Sequence, residues 1–350
     1  MENVLKNWWY MAGWANEITR TPMRRILLNQ PVVIFRLQDG GVAALEDRCA
    51  HRNFPLSMGC LIGDRLRCGY HGLTYDAAGR AVYAPGQPQP PRNGDVRAFP
   101  LIEKHGVVWI WMGKAELANA ALLPPLGWLD QEEWRTYQGG YLHLKARHSL
   151  LTENLLDGSH VGYLHVSTIG GEDAEGHSNA VTEITPFEFG LRRRRQMPAT
   201  KAPFSYRRAC PSLNDVVDRW NYSEMRPGFY QNYTGAKNVG TGALEGDEVG
   251  GFQSRSMQAI VPETDHTTHY FFGGASPKSN FRPEKVEDAL AAVLTTLDED
   301  RVALEAIEAN EAFVGDRPTV NLANDKSAMQ WRFAIKQMLS AEKNELARSA

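Results

Sequence analysis

Cys49-Ala-His51 and, after sixteen intervening residues, Cys68-Gly-Tyr-His71 place one thiol and one imidazole in each of two short segments. Four cysteines in 350 residues are too few for a disulfide scaffold, so this pairing points to metal. The order Cys-His…Cys-His is unlike a C2H2 zinc finger, in which both cysteines precede both histidines. It suits a Rieske-type [2Fe–2S] centre, in which two thiolates hold one iron and two imidazoles the other. Gly69 and Gly72 allow the backbone to approach the inorganic sulfides and donate N–H groups to them. The alternative is a structural zinc site. Replacing two anionic thiolates by neutral imidazoles raises the potential, so such a centre accepts electrons readily and passes them on singly. Cys60 has no histidine at matching spacing and Cys210 stands alone, so both read as ordinary buried thiols.

Around this pair, from about residue 23 to 112, β-rich runs at 25–37, 42–46, 66–68, 82–83 and 107–112 are separated by turn residues. They predict a small antiparallel β domain. Ala84-Pro-Gly-Gln-Pro-Gln-Pro-Pro-Arg-Asn-Gly94 cannot supply regular ladder hydrogen bonds and reads as an extended connecting loop. After Leu123-Pro-Pro125 the texture changes to a helical stretch near 148–165, strand-like runs at 181–197, 216–234 and 252–273, and helical sequence from about 283 to 312. The length accommodates two domains, placed at 1–118 and 119–350, and no 20–50-residue repeat is visible.

Composition excludes several classes. Hydrophobic residues make up 43% and charged residues 23%, and 38 basic against 41 acidic residues leave a net charge of −3, with no pull toward nucleic acid or membrane. The first ten residues have no continuous apolar core and do not read as a signal peptide. The strongest apolar run, Val107-Val-Trp-Ile-Trp-Met112, is far too short to span a bilayer, and a soluble cytoplasmic protein is expected. The Gly-rich piece from Gly240 to Gly251 has neither the GxGxxG spacing nor the strand-to-helix context of a dinucleotide site. Reducing equivalents must therefore arrive through another protein.

A second constellation lies in Glu153-Asn-Leu-Leu-Asp157-Gly-Ser-His160-Val-Gly-Tyr-Leu-His165. Asn154, Asp157 and His160, at i, i+3 and i+6, would share one helix face. His165 falls about 140° round a regular helix from His160, too far for both rings to meet one metal, so the helix is expected to loosen near Gly162 by a π-type bulge. Two histidines need a carboxylate to complete the facial triad of oxygen-activating Fe(II). The C-terminal helix offers Asp300, which continues the apolar stripe Val286, Leu290, Val293, Leu297, Leu304, Ile307. A carboxylate on that core face is costly unless it binds metal or, alternatively, pairs with a buried arginine. Asp298 and Glu299 lie off the stripe and read as solvated. Asp157 suits a supporting role, accepting the other ring N–H of a ligand histidine and fixing its tautomer. His143, His148, His177, His266 and His269 read as structural.

With both constellations in view the chain resembles the Rieske non-haem iron oxygenases, and among them the short type similar to the vanillate and dicamba O-demethylase oxygenases. The resemblance runs from Asn7-Trp-Trp-Tyr10 through Asp47-Arg-Cys-Ala-His-Arg52, Cys68-Gly-Tyr-His-Gly72, Val108-Trp-Ile-Trp111 and Asn154-Leu-Leu-Asp157…His160…His165 to Pro262-Glu-Thr-Asp265 and His269-Tyr-Phe-Phe272. It implies that Cys49, His51, Cys68 and His71 bind a [2Fe–2S] cluster and that His160, His165 and Asp300 bind a mononuclear Fe(II). It implies an α+β fold, a β-sandwich Rieske domain followed by a helix-grip (START-like) catalytic domain. It also implies a homotrimer, in which the cluster of one subunit feeds the iron of its neighbour and Asp157 bridges His71 to an iron histidine across the interface.

The activity implied is monooxygenation of a small aromatic substrate with O2 and electrons from a separate NAD(P)H-dependent reductase carrying a flavin and a ferredoxin-type cluster. O-demethylation of a methoxylated aromatic acid is the first expectation. Hydroxylation of the methyl group gives a hemiacetal that collapses to a phenol and formaldehyde. Ring or side-chain hydroxylation of an aromatic acid or sulfonate comes second and N-demethylation third. Outside the enzymes, a Rieske electron carrier and a zinc-stabilised binding module are the alternatives. Asn232 and Gln258 are expected to line the cavity and meet a substrate carboxylate, although the dicamba-type relatives carry a histidine where Gln258 aligns. Arg192 to Arg195 could form a docking patch for an acidic reductase, with only alternate side chains facing out.

Overall fold

The computed structural model describes residues 4–171, 173–279, 286–315 and 317–348. The chain divides into two units, one running to Leu123 and including Val261–Asp265, the other comprising Pro124–Ile260 and the chain from His266 onward.

In the first unit the strands are β1 (Trp9–Trp14), β2 (Met23–Leu27), β3 (Gln30–Arg36), β4 (Val42–Glu46), β5 (Cys60–Ile62), β6 (Arg65–Arg67), β7 (Thr74–Tyr75), β8 (Ala81–Tyr83), β9 (Leu101–Lys104) and β10 (Val107–Trp111). They form three antiparallel sheets, β1-β10-β9, β2-β3-β4 and β5-β6-β7-β8. Val33, Phe35, Leu45, Leu56, Leu66 and Tyr75 make a core that also encloses Cys49 and Cys68. The stretch 84–94 carries no strand. The peptide Val261–Asp265 joins this unit through backbone bonds, Leu28 N–H to Pro262 O (2.8 Å) and Asn29 N–H to Glu263 O (2.9 Å).

The second unit is built on β11 (Trp134–Leu144), β12 (Val181–Phe187), β13 (Gly190–Lys201), β14 (Val216–Arg226), β15 (Phe229–Asn238), β16 (Phe252–Pro262) and β17 (Thr268–Pro277), in one sheet ordered β11-β17-β16-β15-β14-β13-β12. Among the described residues six α-helices accompany it: α1 (His148–Leu156), α2 (Val161–Leu164), α3 (Ala174–Ser178), α4 (Phe204–Ala209), α5 (Val286–Val314) and α6 (Lys326–Arg348). Leu144, Leu191, Met225, Tyr230, Ile260, Tyr270 and Phe272 from the sheet meet Leu151 and Leu156 of α1, Leu297 and Leu304 of α5 and Trp331 of α6. This is the helix-grip arrangement, a long helix held against one face of an antiparallel sheet. Each such leucine contributes about 1.5–3 kcal/mol on burial, and together they press the middle of α5 onto the sheet. The stripe ends at Leu304, because Ile307 is 44% exposed, and the side chain of Val286 lies outside the described residues.

Strand alternation splits the arginine run. Arg192 and Arg194 are exposed, whereas Arg193 and Arg195 are buried. Arg192 pairs with Glu224 (2.9 Å) and Arg194 lies over the Tyr222 ring. Among the described residues no helix is long and apolar enough to cross a membrane.

His177 is one of the structural histidines, and its place in the interior has a measurable consequence. It is buried, and Nε2 donates to Gly170 O (2.8 Å). Burial and the cations of Arg219 and Arg195 lower its pKa to about 4, against a smaller upward pull from the Gly170 carbonyl and Asp173. A histidine depressed in the folded state contributes stability that is present above its unfolded pKa and lost as pH falls toward the folded value. Relative to His177→Gln, the wild type is expected to lose about 3 kcal/mol of unfolding free energy between pH 6.5 and 4. Urea titrations of both proteins across that range check this, and parallel pH profiles would refute it.

Candidate iron and cluster sites

Cys49 and Cys68 sit at the bases of two facing turns in the first unit. Cys49 N–H bonds to Phe54 O and Cys49 O accepts from Asn53 N–H, both at 2.9 Å, and Cys68 O accepts from Gly72 N–H (3.1 Å). Gly72 has φ +76°, a left-handed value that closes its turn at little cost only for glycine. A Cβ on Gly69 would lie 2.7 Å from Met58 O, so the Cys68 turn can pack against the turn Leu56–Met58 only because that position is bare.

Both thiols are buried, whereas His51 and His71 are exposed, their ring centroids 4.6 Å apart. Burial pushes the Cys68 thiol up, and the N–H groups of Tyr70 and His71 aimed at it act the other way. Tyr75 Oη donates to Cys49 Sγ (3.4 Å) and accepts from Ala50 N–H (3.0 Å). Two inward thiols surrounded by N–H and O–H donors, beneath two outward imidazoles, fit a cluster whose thiolate-held iron is buried and whose imidazole-held iron reaches the surface. Cys210 is buried as expected, but Cys60 is only half-buried and receives an Arg67 Nη2 contact at 3.4 Å.

The second unit brings His160, His165 and Asp300 together, with one ligand atom of each within 4.8 Å of the others. His160 Nε2 lies 3.5 Å and His165 Nε2 3.1 Å from Asp300 Oδ1. Three atoms each about 2 Å from a common ion, at right angles, would be roughly 3 Å apart, so the set fits a facial triad. Asn154 Nδ2 donates to the same carboxylate oxygen (2.9 Å).

Each histidine offers Nε2 toward Asp300 and Nδ1 toward a second carboxylate. Asp157 Oδ2 meets His160 Nδ1 (3.1 Å), while its Oδ1 accepts from Ser159 N–H (2.8 Å) and Ser159 Oγ (2.7 Å). Burial alone would raise Asp157, yet these donors hold it well below the usual carboxylate range. Glu299 Oε2 meets His165 Nδ1 (2.7 Å) and accepts from Thr168 Oγ1 (2.9 Å). Burial disfavours the imidazolium of His165, but Asp300 and Glu299 raise its pKa overall.

The local path differs from a loosened helix. α1 ends at Leu156, Asp157 takes an extended conformation, and His160 opens the single turn of α2. The π-helical turn is present but runs from Val166 to Gly170, after His165 and not at Gly162. The break at Asp157-Gly158-Ser159 lets the Asp157 carboxylate fold forward onto His160, a contact a continuous helix would have made sideways. Glu299 was expected to be solvated. An i,i+1 neighbour of Asp300 leaves the apolar stripe, but it turns toward the His165 side because the π turn brings Thr168 there. The signal available in the sequence was that a ligand histidine needs an acceptor for its other N–H.

Gln258 and Asn232 lie on the face of the sheet that α5 covers. Gln258 stands opposite Tyr230 in the β15/β16 register and accepts from Tyr270 Oη, and Asn232 Oδ1 accepts from Ser256 Oγ (3.0 Å). Their hydrogen bonds run within the sheet and not to the triad.

The Rieske [2Fe-2S] domain family model matches residues 8–101, and that of the vanillate O-demethylase oxygenase C-terminal domain matches residues 144–341. The chain belongs to the Rieske non-haem iron oxygenases. A putative toluene-4-sulfonate monooxygenase system iron-sulfur subunit of Comamonas testosteroni is 36% identical over 341 residues, covering 97% of this chain and 98% of the relative. The oxygenase component of dicamba O-demethylase from Stenotrophomonas maltophilia is 31% identical over 345 residues, covering 97% and 98%. The crystal structure of dicamba monooxygenase bound to 3,6-dichlorosalicylic acid superposes with a TM-score of 0.86 at 29% identity, covering 98% of each chain. The protein is thus an iron-dependent monooxygenase component whose cofactors are a Rieske [2Fe–2S] cluster and a mononuclear non-haem iron.

Glu299 is the acid in contact with His165 Nδ1. Replacing Glu299 by Ala strips the acceptor from His165 Nδ1 and Thr168 Oγ1, and is expected to weaken iron binding by roughly ten- to a hundredfold. Competition with a chelator, followed by metal analysis, measures it. Iron held as tightly as in the wild type would make the contact incidental.

Proposed function

We propose that His160, His165 and Asp300 hold the mononuclear iron, that Cys49, His51, Cys68 and His71 hold the cluster, and that the enzyme O-demethylates a methoxylated aromatic acid. The observation that carries the assignment is the convergence of two imidazole Nε2 atoms on one buried carboxylate, each imidazole backed by its own acid. When bound, the iron supplies oxygen activation and the cluster supplies electrons. This chain's residues do the rest. Asp157 and Glu299 keep both ligand rings in one tautomer, Asn154 steadies Asp300, and the apolar surface around Leu297 and Tyr270 keeps water from the reacting C–H bond. Asn232 and Gln258 are assigned to the substrate carboxylate.

Electrons come from a separate NAD(P)H-dependent reductase in this proposal. The assembly is a homotrimer in which Asp157 joins His160 to a cluster histidine, His71, of the neighbouring subunit. The partial exposure of Asp157 and the exposure of His71 support that role. A second reading, hydroxylation of the ring methyl of an arenesulfonate, is favoured by the 36% identity to the toluene-4-sulfonate system subunit.

Turnover of methoxybenzoates and of toluene-4-sulfonate with a reconstituted reductase separates the two. Formaldehyde with a phenol supports demethylation, and a hydroxymethyl arenesulfonate supports the second reading. Activity on neither, in protein loaded with both metals, would remove both.

A further inference from the structure

Arg193, Arg195 and Arg219 are buried on the helix-covered side of β13 and β14, and among the described residues none of them forms an ion pair. Three uncompensated cations in an interior would be costly. Backbone carbonyls meet all three, beside neutral side-chain neighbours: Tyr230 Oη 3.4 Å from Arg193 Nη2, His177 Nε2 3.3 Å from Arg219 Nη1, and the Tyr206 ring beneath Arg219. Arg193 donates to Leu156 O through Nη1 and to Leu155 O through Nη2 (3.3 Å), the last carbonyls of α1. Arg195 Nη2 donates to His177 O (2.6 Å) near the end of α3, and Arg219 Nη2 to Ile169 O (3.4 Å) near the end of the π turn. A Cβ on Gly158 would stand 2.0 Å from Arg195 Nη1, so the guanidinium lies flush against the chain just ahead of His160. Carbonyls at the ends of helical segments are unpaired within the segment and carry partial negative charge, which suits a cation.

The three segments so gripped are the ones before, after and beyond His160 and His165. Between them runs 157–170, whose regular structure is one four-residue turn and one π turn, too little to hold its shape alone. We propose that Arg193, Arg195 and Arg219 are positioning residues for the iron site. They tie the ligand-bearing segment to the sheet at three carbonyl ends, and so set the spacing of the two imidazoles and the retention of the metal. The inference rests on the assignment of His160, His165 and Asp300 as iron ligands.

The test compares Arg195→Met and Arg195→Lys with Arg194→Met, a change on the same strand whose side chain points to the opposite face. Amide hydrogen exchange across 157–170 is measured on iron-free protein, with β11 and β17 as internal references. Release of Fe(II) to a chelator and the EPR signal of the reduced cluster are measured on holoenzyme. For Arg195→Met the segment is expected to exchange at least about tenfold faster than the reference strands would account for, and iron to leave roughly ten to a hundred times faster. The cluster signal should stay unchanged, Arg195→Lys should recover part of both effects, and Arg194→Met should have neither.

Wild-type exchange and iron release in folded Arg195→Met, or equal effects from Arg194→Met, would overturn the proposal. If Arg195→Met does not fold, Arg195→Lys decides, since wild-type values in both measurements would again overturn it. A wild type that holds only the cluster irons would instead condemn the ligand assignment, and the exchange measurement on iron-free protein would still decide the tether.

Discussion

Asp300→Asn is expected to purify with the cluster intact and the mononuclear iron missing, about two irons per chain where the wild type has about three. Turnover should fall by at least about a thousandfold, some 4 kcal/mol of barrier. The side chain keeps its size, so the effect isolates charge. The Asp300 oxygen faced by both Nε2 atoms and by Asn154 Nδ2 lies in a buried position, where a carboxylate is costly unless a cation neutralises it. An amide there can neither neutralise Fe(II) nor bridge the two rings. The same reasoning predicts that the iron-free variant melts no lower than iron-free wild type, because a buried charge without its metal is a burden on the fold. Iron analysis, sulfide analysis and calorimetry on matched preparations check all three expectations. Retention of the third iron together with wild-type turnover would dismiss Asp300 as a ligand.

The second large effect is expected at the other metal. Cys49→Ala should lose the visible colour, the labile sulfide and the Rieske EPR signal, and with them reductase-driven turnover, again by at least about a thousandfold. Cys49 Sγ lies inside the core of the first unit, in the same cluster as Cys68, with the Tyr75 hydroxyl aimed at it. Cys60→Ala is the matched control. That thiol is half-buried against Arg67 and should be dispensable, leaving cluster and activity unchanged. A full Rieske signal from Cys49→Ala, or its loss from Cys60→Ala, would reverse the assignment.

Much of this was legible before any coordinates. Two Cys-x-His or Cys-x-x-His pairs narrow the metal chemistry to very few choices, because thiolates and imidazoles at such spacing have little other use. Asp300 was singled out by position alone, since a carboxylate on an apolar stripe demands a partner and the periodicity of a long helix is its most reliable feature. The β runs of the first unit were visible because turn residues separate them sharply.

Other features escaped for identifiable reasons. Glu299 and Asp298 are indistinguishable by polarity and period, and only the π turn bringing His165 and Thr168 to one of them makes it a partner. The break at Asp157-Gly158-Ser159 was read as part of a helix because Asn154, Asp157 and His160 do keep helical spacing. Asp157 instead spends its carboxylate on Ser159 and His160, which competes with helix continuation. Strand alternation turned two of Arg192 to Arg195 inward but did not say which two, nor what would meet them. The burial of Arg193 and Arg195 is sustained by carbonyls that belong to distant segments, a form of compensation that leaves no mark in composition.

The sequence by itself determined the chemistry, the two kinds of metal centre and the order of the domains, because ligand type and hydrophobic period are local properties of the chain. Only the tertiary structure decided which acid supports which histidine, which arginines face inward, and that Val261–Asp265 returns to the first unit. Those outcomes depend on where unpaired backbone groups and buried charges from remote segments meet, and that is set by packing.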